Sequence, residues 1–330
     1  PVASVIAIMV EAGIYMYLSR RPLESTWGDM RGGILMAIAR WSLLAYRRLE
    51  EHRRNWRPHI LVFSKQIEDN LDMIQVANEL SLGRGIVTVV QLHSDSNSQI
   101  NVEQRTTEMH QYCLNNNVEA FCEVDIVESI PTGIITVSQA NGIAGMQSNT
   151  LLMGWPSAER FPIEAARVMR SLDELQKSLI LTRFTGFTKE KMTEIDVWWS
   201  GSYENGDLML LIAYLLTQSH RWRYAKICLK TVVEDPSLVA EREEALQKIC
   251  QETRIQAKTL VLQRGDAPNL RSVIARHSQT ADLVILGLSL PDAGQEESYG
   301  EAYTHLVEQL SNVMFVRNSG PFRGRLIVED

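Results

Sequence analysis

The chain has 330 residues, of which 45% are hydrophobic and 22% charged, and this balance is typical of a globular protein. A chain of this length suits one large α/β domain or two of ordinary size, and it can bury a full core without disulfides or metal ions. The formal net charge of -7 argues against nucleic acid as the main partner, because binding to phosphates requires a basic face.

The first residues form a nearly continuous apolar segment. Residues 2–18 contain a single acid, Glu11, and a basic turn, Arg20-Arg21-Pro22, follows. A signal peptide is disfavoured because no basic region precedes the apolar run. Two interpretations remain: a buried helix of a soluble fold, and the end of a membrane helix with the two arginines on the cytoplasmic side. A long amphipathic helix is then predicted over 30–54, ending before Pro58.

From residue 59 onwards, short apolar runs alternate with amphipathic segments. Strands are predicted over 59–64, 86–93, 118–127, 150–155, 178–184, 194–199, 225–233, 256–263, 281–288 and 312–316, with a further candidate over 325–328. Helices are predicted over 70–81, 101–116, 130–141, 207–217, 238–252, 270–277 and 298–310. Asp207 is a plausible N-cap of its helix, because it follows the turn signal Asn205-Gly206.

The order of these elements predicts the fold class. Strands that are apolar on both faces and separated by helices indicate a parallel sheet covered on both sides. The βαβ order occurs twice with a break near 185–191, so the sequence predicts two α/β subdomains of similar topology, stacked or side by side. Trp198 and Trp199 are adjacent in a strand and should point to opposite faces, whereas Trp222 is predicted to be partly exposed.

The four cysteines suggest neither a disulfide framework nor a metal site. Cys113, Cys122, Cys228 and Cys250 include no C-x-x-C pair, and no histidine lies at a metal-ligand spacing from them. The simplest interpretation is four reduced, mostly buried thiols in a cytosolic protein.

Polar residues that follow the strands are the candidates for a ligand site, because ligands of open parallel sheets bind at the carboxyl ends of strands. Among them are Ser64, Lys65, His93 and Gly154. A soluble hydrolase or transferase would require Lys65, His93 and Asp125 to converge in one deep pocket. No G-x-S-x-G nucleophile motif supports that hypothesis.

No strong phosphate-binding loop is present, since neither G-x-x-x-x-G-K-[ST] nor a G-x-G-x-x-G after a strand occurs. Gly142 and Gly145 form a weak G-x-x-G, which a helix C-cap followed by a turn explains more simply. With Ser64, Lys65, His93 and Gly154 they make up the predicted nucleotide pocket.

Several blocks, in a fixed order over nearly the whole chain, resemble the C-terminal cytosolic domain of the cation–chloride cotransporters, the Na–K–Cl and K–Cl symporters, and above all the prokaryotic members. The blocks are Trp27-Gly28, NWRPHILV at 55–62, NTLLMGWP at 149–156, IDVWW at 195–199, GDLMLL at 206–211, RWR at 221–223, and ADLVIL at 281–286 followed by 303–317.

The resemblance implies an organisation and a function. Residues 1–21 would be the end of the last transmembrane helix, 22–57 an amphipathic linker helix, and 58–190 and 191–330 two subdomains like universal stress proteins, each a mostly parallel sheet with helices on both faces. The chain would be a non-catalytic regulatory and dimerisation domain on the cytoplasmic face of the membrane. Its partners would be a second copy and the transmembrane domain of the same transporter.

The match departs from the ATP-binding stress proteins, which carry an aspartate after the first strand and a glycine phosphate loop after the fourth. Ser64-Lys65 and Trp155-Pro156-Ser157 occupy those positions here. These residues require no cofactor, and a nucleotide sensor that binds ATP, ADP or AMP is the alternative function.

Overall fold

The computed structural model describes residues 30–49, 56–94, 100–143, 146–156, 163–201, 203–324 and 326–327, together with Ile6, Met9, Val10, Ala12, Gly13 and Met16. The chain divides into two compact units. The first comprises Pro1–Glu50 and Ile143–Gly145, and the second comprises Glu51–Gly142 and Met146–Asp330.

The first unit contains a helix, α1 (Met30–Tyr46), that leaves large apolar side chains exposed. Leu35, Met36 and Trp41 are 62%, 71% and 72% exposed. The helix predicted over 30–54 is confirmed up to Tyr46, and residues 47–49 form a turn and a bend. Within the described part of the chain, we find no helix with both the length and the apolar character needed to span a bilayer. The prediction of a membrane helix over 1–21 falls mostly outside the described residues.

The second unit contains the sheet. Its strands are β1 (Ile60–Phe63), β2 (Val87–Ser94), β3 (Phe121–Val127), β6 (Thr150–Gly154), β7 (Ser178–Phe184), β8 (Glu194–Trp198), β9 (Lys226–Val233), β10 (Ala257–Gln263), β11 (Leu283–Gly287) and β12 (Asn312–Arg317). Two short strands, β4 (Gly142–Ile143) and β5 (Met146–Gln147), lie outside this sheet. The ten predicted strands are confirmed to within a few residues at each end. The candidate strand over 325–328 is described only at Leu326 and Ile327, which form a bend.

Eight further helices connect the strands. They are α2 (Leu71–Ser81), α3 (Val102–Asn115), α4 (Ile130–Ala140), α5 (Ile163–Glu174), α6 (Tyr203–Thr217), α7 (Val239–Thr253), α8 (Leu270–His277) and α9 (Glu296–Gln309). Side-chain caps start several of them. Asn101, Ser129 and Asn269 accept hydrogen bonds from the backbone N–H groups three residues later. Helix α5 was not predicted.

The ten strands form one sheet in the order β10-β9-β8-β11-β12-β7-β6-β1-β2-β3. All neighbours are parallel except β7 and β12, which are antiparallel, with Leu181 opposite Phe315. Read outward from this pair, the halves have the same strand order. The predicted α/β fold of two similar subdomains is therefore confirmed. The subdomains lie side by side and share a continuous sheet.

Each face of the sheet carries its own core. Ile60, Val62 and Trp199 belong to one core. Leu61 and Trp198 belong to the other. Neighbouring residues of a strand point to opposite faces, and the predicted division of Trp198 and Trp199 is confirmed.

Loop residues of the second half pack against α2 of the first half. The Trp222 side chain is fully buried, and its Nε1 donates a hydrogen bond of 2.9 Å to Oε2 of Glu79. The neighbouring guanidinium of Arg221 lies 3.4 Å from Oδ1 of Asp72 and 4.5 Å from the ring centroid of Phe187. The prediction that Trp222 is partly exposed is wrong, because this loop closes the seam between the halves.

Asp207 is not the N-cap that the sequence suggested. Helix α6 begins at Tyr203, so Asn205 and Gly206 are helical and Asp207 lies inside the helix. The buried carboxylate of Asp207 accepts hydrogen bonds from the Asn318 side chain at 2.8 Å and from the Leu326 backbone N–H at 3.0 Å. Asp207 therefore holds the segment that follows β12.

Candidate functional site

A cavity of about 1230 Å³ opens at the carboxyl ends of β1, β2 and β6. In the first half β1 lies between β2 and β6: the chain continues from β1 to β2 and β3 on one side, and then passes to β6 and β7 on the other side. Such a topological switch point is where parallel α/β sheets usually bind ligands. The floor of the cavity is apolar, with Phe63, Leu92, Ile134 and Leu181 among its residues.

The loop after β1 forms one wall and is held firmly in place. Oγ of Ser64 donates to the carbonyl of Gln66 at 2.8 Å, and Nε2 of the buried Gln91 donates to the carbonyl of Lys65 at 2.7 Å. Nε of Arg105 in turn donates to Oε1 of Gln91 at 2.9 Å. The backbone of Ser64 and Lys65 is thus fixed, while the Lys65 side chain is exposed at the rim.

Arg105 secures the same wall from outside. Its two terminal nitrogens donate to the two carboxylate oxygens of Glu68, each at 3.1 Å. The hydrogen bonds from Arg105 are the main cause that lowers the pKa of Glu68. A bidentate pair of this kind adds geometric order as well as energy.

The end of β2 and the start of α4 form a second wall. His93 lines the cavity, and its Nε2 is shielded from solvent with no hydrogen-bond partner among the residues that the structure describes. Ser129 caps α4, and residues 129–132 line the cavity. The partial positive charge of a helix start favours a negatively charged ligand. Few backbone donors are free here, because Pro131 has no N–H and the Thr132 N–H donates to Oγ of Ser129.

The third wall comes from the end of β6 and from α5, the helix that was not predicted. Gly154 ends β6 and Trp155 follows it, and Arg167 of α5 adds an exposed cation to the rim. Glu164 of the same helix is also at the rim. The sequence does contain a helical pattern here, because the apolar residues Ala166, Met169 and Leu172 recur every three residues, and all three are buried in α5.

The predicted pocket residues are therefore only partly brought together. Ser64, Lys65, His93 and Gly154 line the cavity. Gly142 is not among its lining residues. It lies in β4 with a φ of 119°, and an added Cβ would lie 2.6 Å from the carbonyl oxygen of residue 146, so a turn explains this glycine. Gly145 lies outside the described residues.

Asp125 does not complete a catalytic group. Lys65 and His93 line the cavity, but Asp125 of β3 is not among the lining residues. The convergence of Lys65, His93 and Asp125 that a hydrolase requires is not observed. With its apolar floor, its two cations at the rim and its adjacent helix start, the cavity is suited to binding an organic anion.

Solved structures of several other proteins share this fold. The cytoplasmic domain of a prokaryotic cation chloride cotransporter matches with 20% identity and a TM-score of 0.59, over 82% of this chain and 99% of that one. A universal stress protein from Archaeoglobus fulgidus matches with 12% identity and a TM-score of 0.52, over 78% and 96% of the chains. A putative universal stress protein from Pseudomonas aeruginosa matches with 11% identity and a TM-score of 0.50, over 78% and 92%.

The family profile of Solute carrier family 12 matches residues 71–160 and 157–268, which is more than half of the chain. These segments include the NTLLMGWP and IDVWW blocks on which the sequence resemblance was based. The chain belongs to solute carrier family 12.

Proposed function

We propose that this chain is the cytosolic regulatory and dimerisation domain of a cation–chloride cotransporter, without catalytic activity of its own. The main support is the family match together with a likeness that covers 99% of the solved cytoplasmic domain of one such transporter. On this proposal the chain lies at the cytoplasmic face of the membrane. Its partners are a second copy and the transmembrane domain of the same protein.

The structure offers two features that suit such a role. The second unit is one continuous body, because ten strands form a single sheet and both cores contain residues of both halves. Helix α1 leaves Leu35, Met36 and Trp41 exposed, as expected of a helix that packs against a partner. The proposed mechanism is that the association of two such bodies biases the membrane helices between two arrangements.

Sedimentation velocity over a wide range of protein concentration tests the dimer. We expect a monomer–dimer equilibrium that shifts towards the dimer as concentration rises. Trp41→Ser should weaken association because it removes a 72% exposed indole, whereas Tyr224→Ser in the second unit, 57% exposed, is the matched control. A monomer at every concentration would contradict the proposal.

The second candidate is a nucleotide sensor, which the strand-end cavity favours. Lys65 and Arg167 would hold phosphates beside the start of α4, and the apolar floor would receive the base. Calorimetry with ATP, ADP and AMP tests this. Arg167→Gln should weaken binding at least tenfold, whereas Arg84→Gln, in the turn before β2 at the opposite end of the sheet, should not. If none of the three nucleotides produces a heat of binding at concentrations up to millimolar, the nucleotide-sensor hypothesis is refuted.

A further inference from the structure

Three potential metal ligands lie together on one face of the second half of the sheet. Glu194 and Asp196 are two residues apart in β8, so their side chains point to the same face. Cys228 is the register partner of Asp196 on the neighbouring parallel strand β9. A carboxylate oxygen of each acid and Sγ of Cys228 all lie within 4.8 Å of one another.

One carboxylate oxygen of Asp196 accepts no hydrogen bond from the described residues. The residue is fully buried, and its Oδ2 accepts hydrogen bonds of 2.6 Å from Nζ of Lys230 and of 2.6 Å from Oγ of Ser278. Its Oδ1 is shielded from solvent and has no hydrogen-bond partner in the described part of the chain. Buried carboxylate oxygens normally accept a hydrogen bond or bind a metal, so the unpaired Oδ1 of Asp196 supports a bound ligand at this position.

The charges of the cluster favour a cation. Nζ of Lys230 lies 2.6 Å from Asp196 and 3.9 Å from Glu194, so one ammonium serves two carboxylates. With Cys228 ionised, three negative ligands would balance a divalent cation and the Lys230 ammonium.

The donor set selects the kind of cation. One thiolate and two carboxylates suit Zn²⁺, which accepts sulfur and oxygen ligands in a tetrahedral arrangement and can hold a water at the fourth position. Hard cations such as Mg²⁺ do not favour thiolate. Glu194 is 32% exposed and Cys228 is buried, so the cluster is open to solvent on the side of Glu194.

We propose that Glu194, Asp196 and Cys228 form a binding site for Zn²⁺ in the second half of the chain, with Lys230 as the neighbour that balances its charge. The Cys228 thiol loses its proton to solvent as the metal–sulfur bond forms. The site is not evident in the sequence, because the register of β8 and β9, and not spacing along the chain, brings the ligands together.

Titration of the metal-free protein with Co²⁺, followed by displacement with Zn²⁺, tests the site. We expect the charge-transfer absorption of a cobalt–thiolate bond, saturating at one equivalent and abolished by one equivalent of Zn²⁺. Cys228→Ser should remove this absorption. Glu194→Gln, at a partly exposed position, should weaken Zn²⁺ binding at least tenfold while leaving the circular dichroism spectrum unchanged.

Two cysteine variants serve as controls. Cys250→Ser removes a half-buried thiol outside the cluster. Cys113→Ser removes one of two neighbouring thiols elsewhere in the chain, because Sγ of Cys113 lies 3.8 Å from Sγ of Cys122. Both should retain the cobalt absorption. The proposal is overturned if no thiolate band forms, if Cys113→Ser abolishes it, or if Glu194→Gln binds Zn²⁺ as tightly as the original chain.

Discussion

The contact between Trp222 and Glu79 should couple the stability of the two halves. Trp222→Phe removes an N–H donor from a carboxylate that is largely withdrawn from water. A hydrogen bond to a charged group contributes about 1.5–3 kcal/mol, and the smaller ring should cost about 1 kcal/mol more. We therefore expect the free energy of unfolding to fall by about 2.5–4 kcal/mol.

A double-mutant cycle separates these two contributions. In the Glu79→Leu background the indole N–H has no carboxylate to meet, so Trp222→Phe should cost only about 1 kcal/mol there. Urea unfolding followed by far-ultraviolet circular dichroism is the suitable assay, because removing one of seven tryptophans alters the fluorescence. Equal costs in the two backgrounds, within about 0.5 kcal/mol, would refute the reasoning.

The pH dependence gives a second check on the same contact. Burial raises the pKa of Glu79, although the Trp222 hydrogen bond and the Arg221 charge oppose the effect. A raised pKa means that the folded state favours the protonated acid, so this contribution to stability is lost as pH rises through the folded pKa. The penalty of Trp222→Phe should accordingly be larger at neutral pH than near pH 4.5, the ordinary pKa of the side chain.

Three further changes have defined outcomes in urea unfolding. Nδ1 of His59 accepts a backbone hydrogen bond of 3.2 Å, and burial lowers the pKa of this side chain. The free energy of unfolding should therefore fall as pH drops below 6.5, the ordinary pKa of histidine. His59→Gln should reduce this dependence of stability on pH. Asp207→Ala leaves the donors of the C-terminal segment without an acceptor and should cost about 3 kcal/mol or more, and a loss below about 1 kcal/mol would contradict this role. Gly206→Ala places a Cβ 2.3 Å from the Trp199 ring and should cost about 1–3 kcal/mol, whereas Gly154→Ala, with no heavy atom within 4 Å, should leave stability unchanged.

The sequence predicts the strands well because their signal is local. Runs such as ILVF in β1 and LVILG in β11 are apolar on both faces, and only a strand covered on both sides explains such short runs. The repetition of βα units then predicts two similar halves. Which strands join the halves is not a local property. The antiparallel pairing of β7 with β12 depends on two runs more than a hundred residues apart, and each of them would suit a parallel neighbour equally well.

The errors arise where packing overrides a local signal. Asn205-Gly206 is a turn signal, yet Gly206 is helical in the structure. Packing explains the glycine, because the Trp199 ring lies against it and leaves no room for a side chain. The second error follows similar logic. Trp222, amid basic residues in a loop, looks exposed in the sequence, but its ring is fully buried against α2.

The sequence predicts those residues of the candidate site that lie at the ends of predicted strands. Lys65 and His93 directly follow or end predicted strands, so the rule for parallel sheets locates them at the cavity. Arg167 was missed because α5 was not predicted. The proposed Zn²⁺ ligands could not be predicted from the sequence, since no spacing along the chain reveals that Cys228 is the register partner of Asp196.

The two halves share a topology, but the topological switch point is open in the first half and covered in the second. In the first half the ends of β1 and β6 open into the cavity. At the equivalent ends of β8 and β11, Asn205 donates to the carbonyl of Leu288 at 3.0 Å and accepts from the backbone N–H of Asn318 at 3.0 Å.

The start of α6 and the segment after β12 thus cover the second switch point, and the buried Asp207 holds them there through its bond to Asn318. A buried carboxylate with several donors makes such a covering costly to remove. If a small anion regulates this chain, we therefore expect it to act through the first half, while the second half serves as a support whose strand ends are occupied by its own chain. Nucleotide binding that survives Arg167→Gln but is lost in Asp207→Ala would contradict this division.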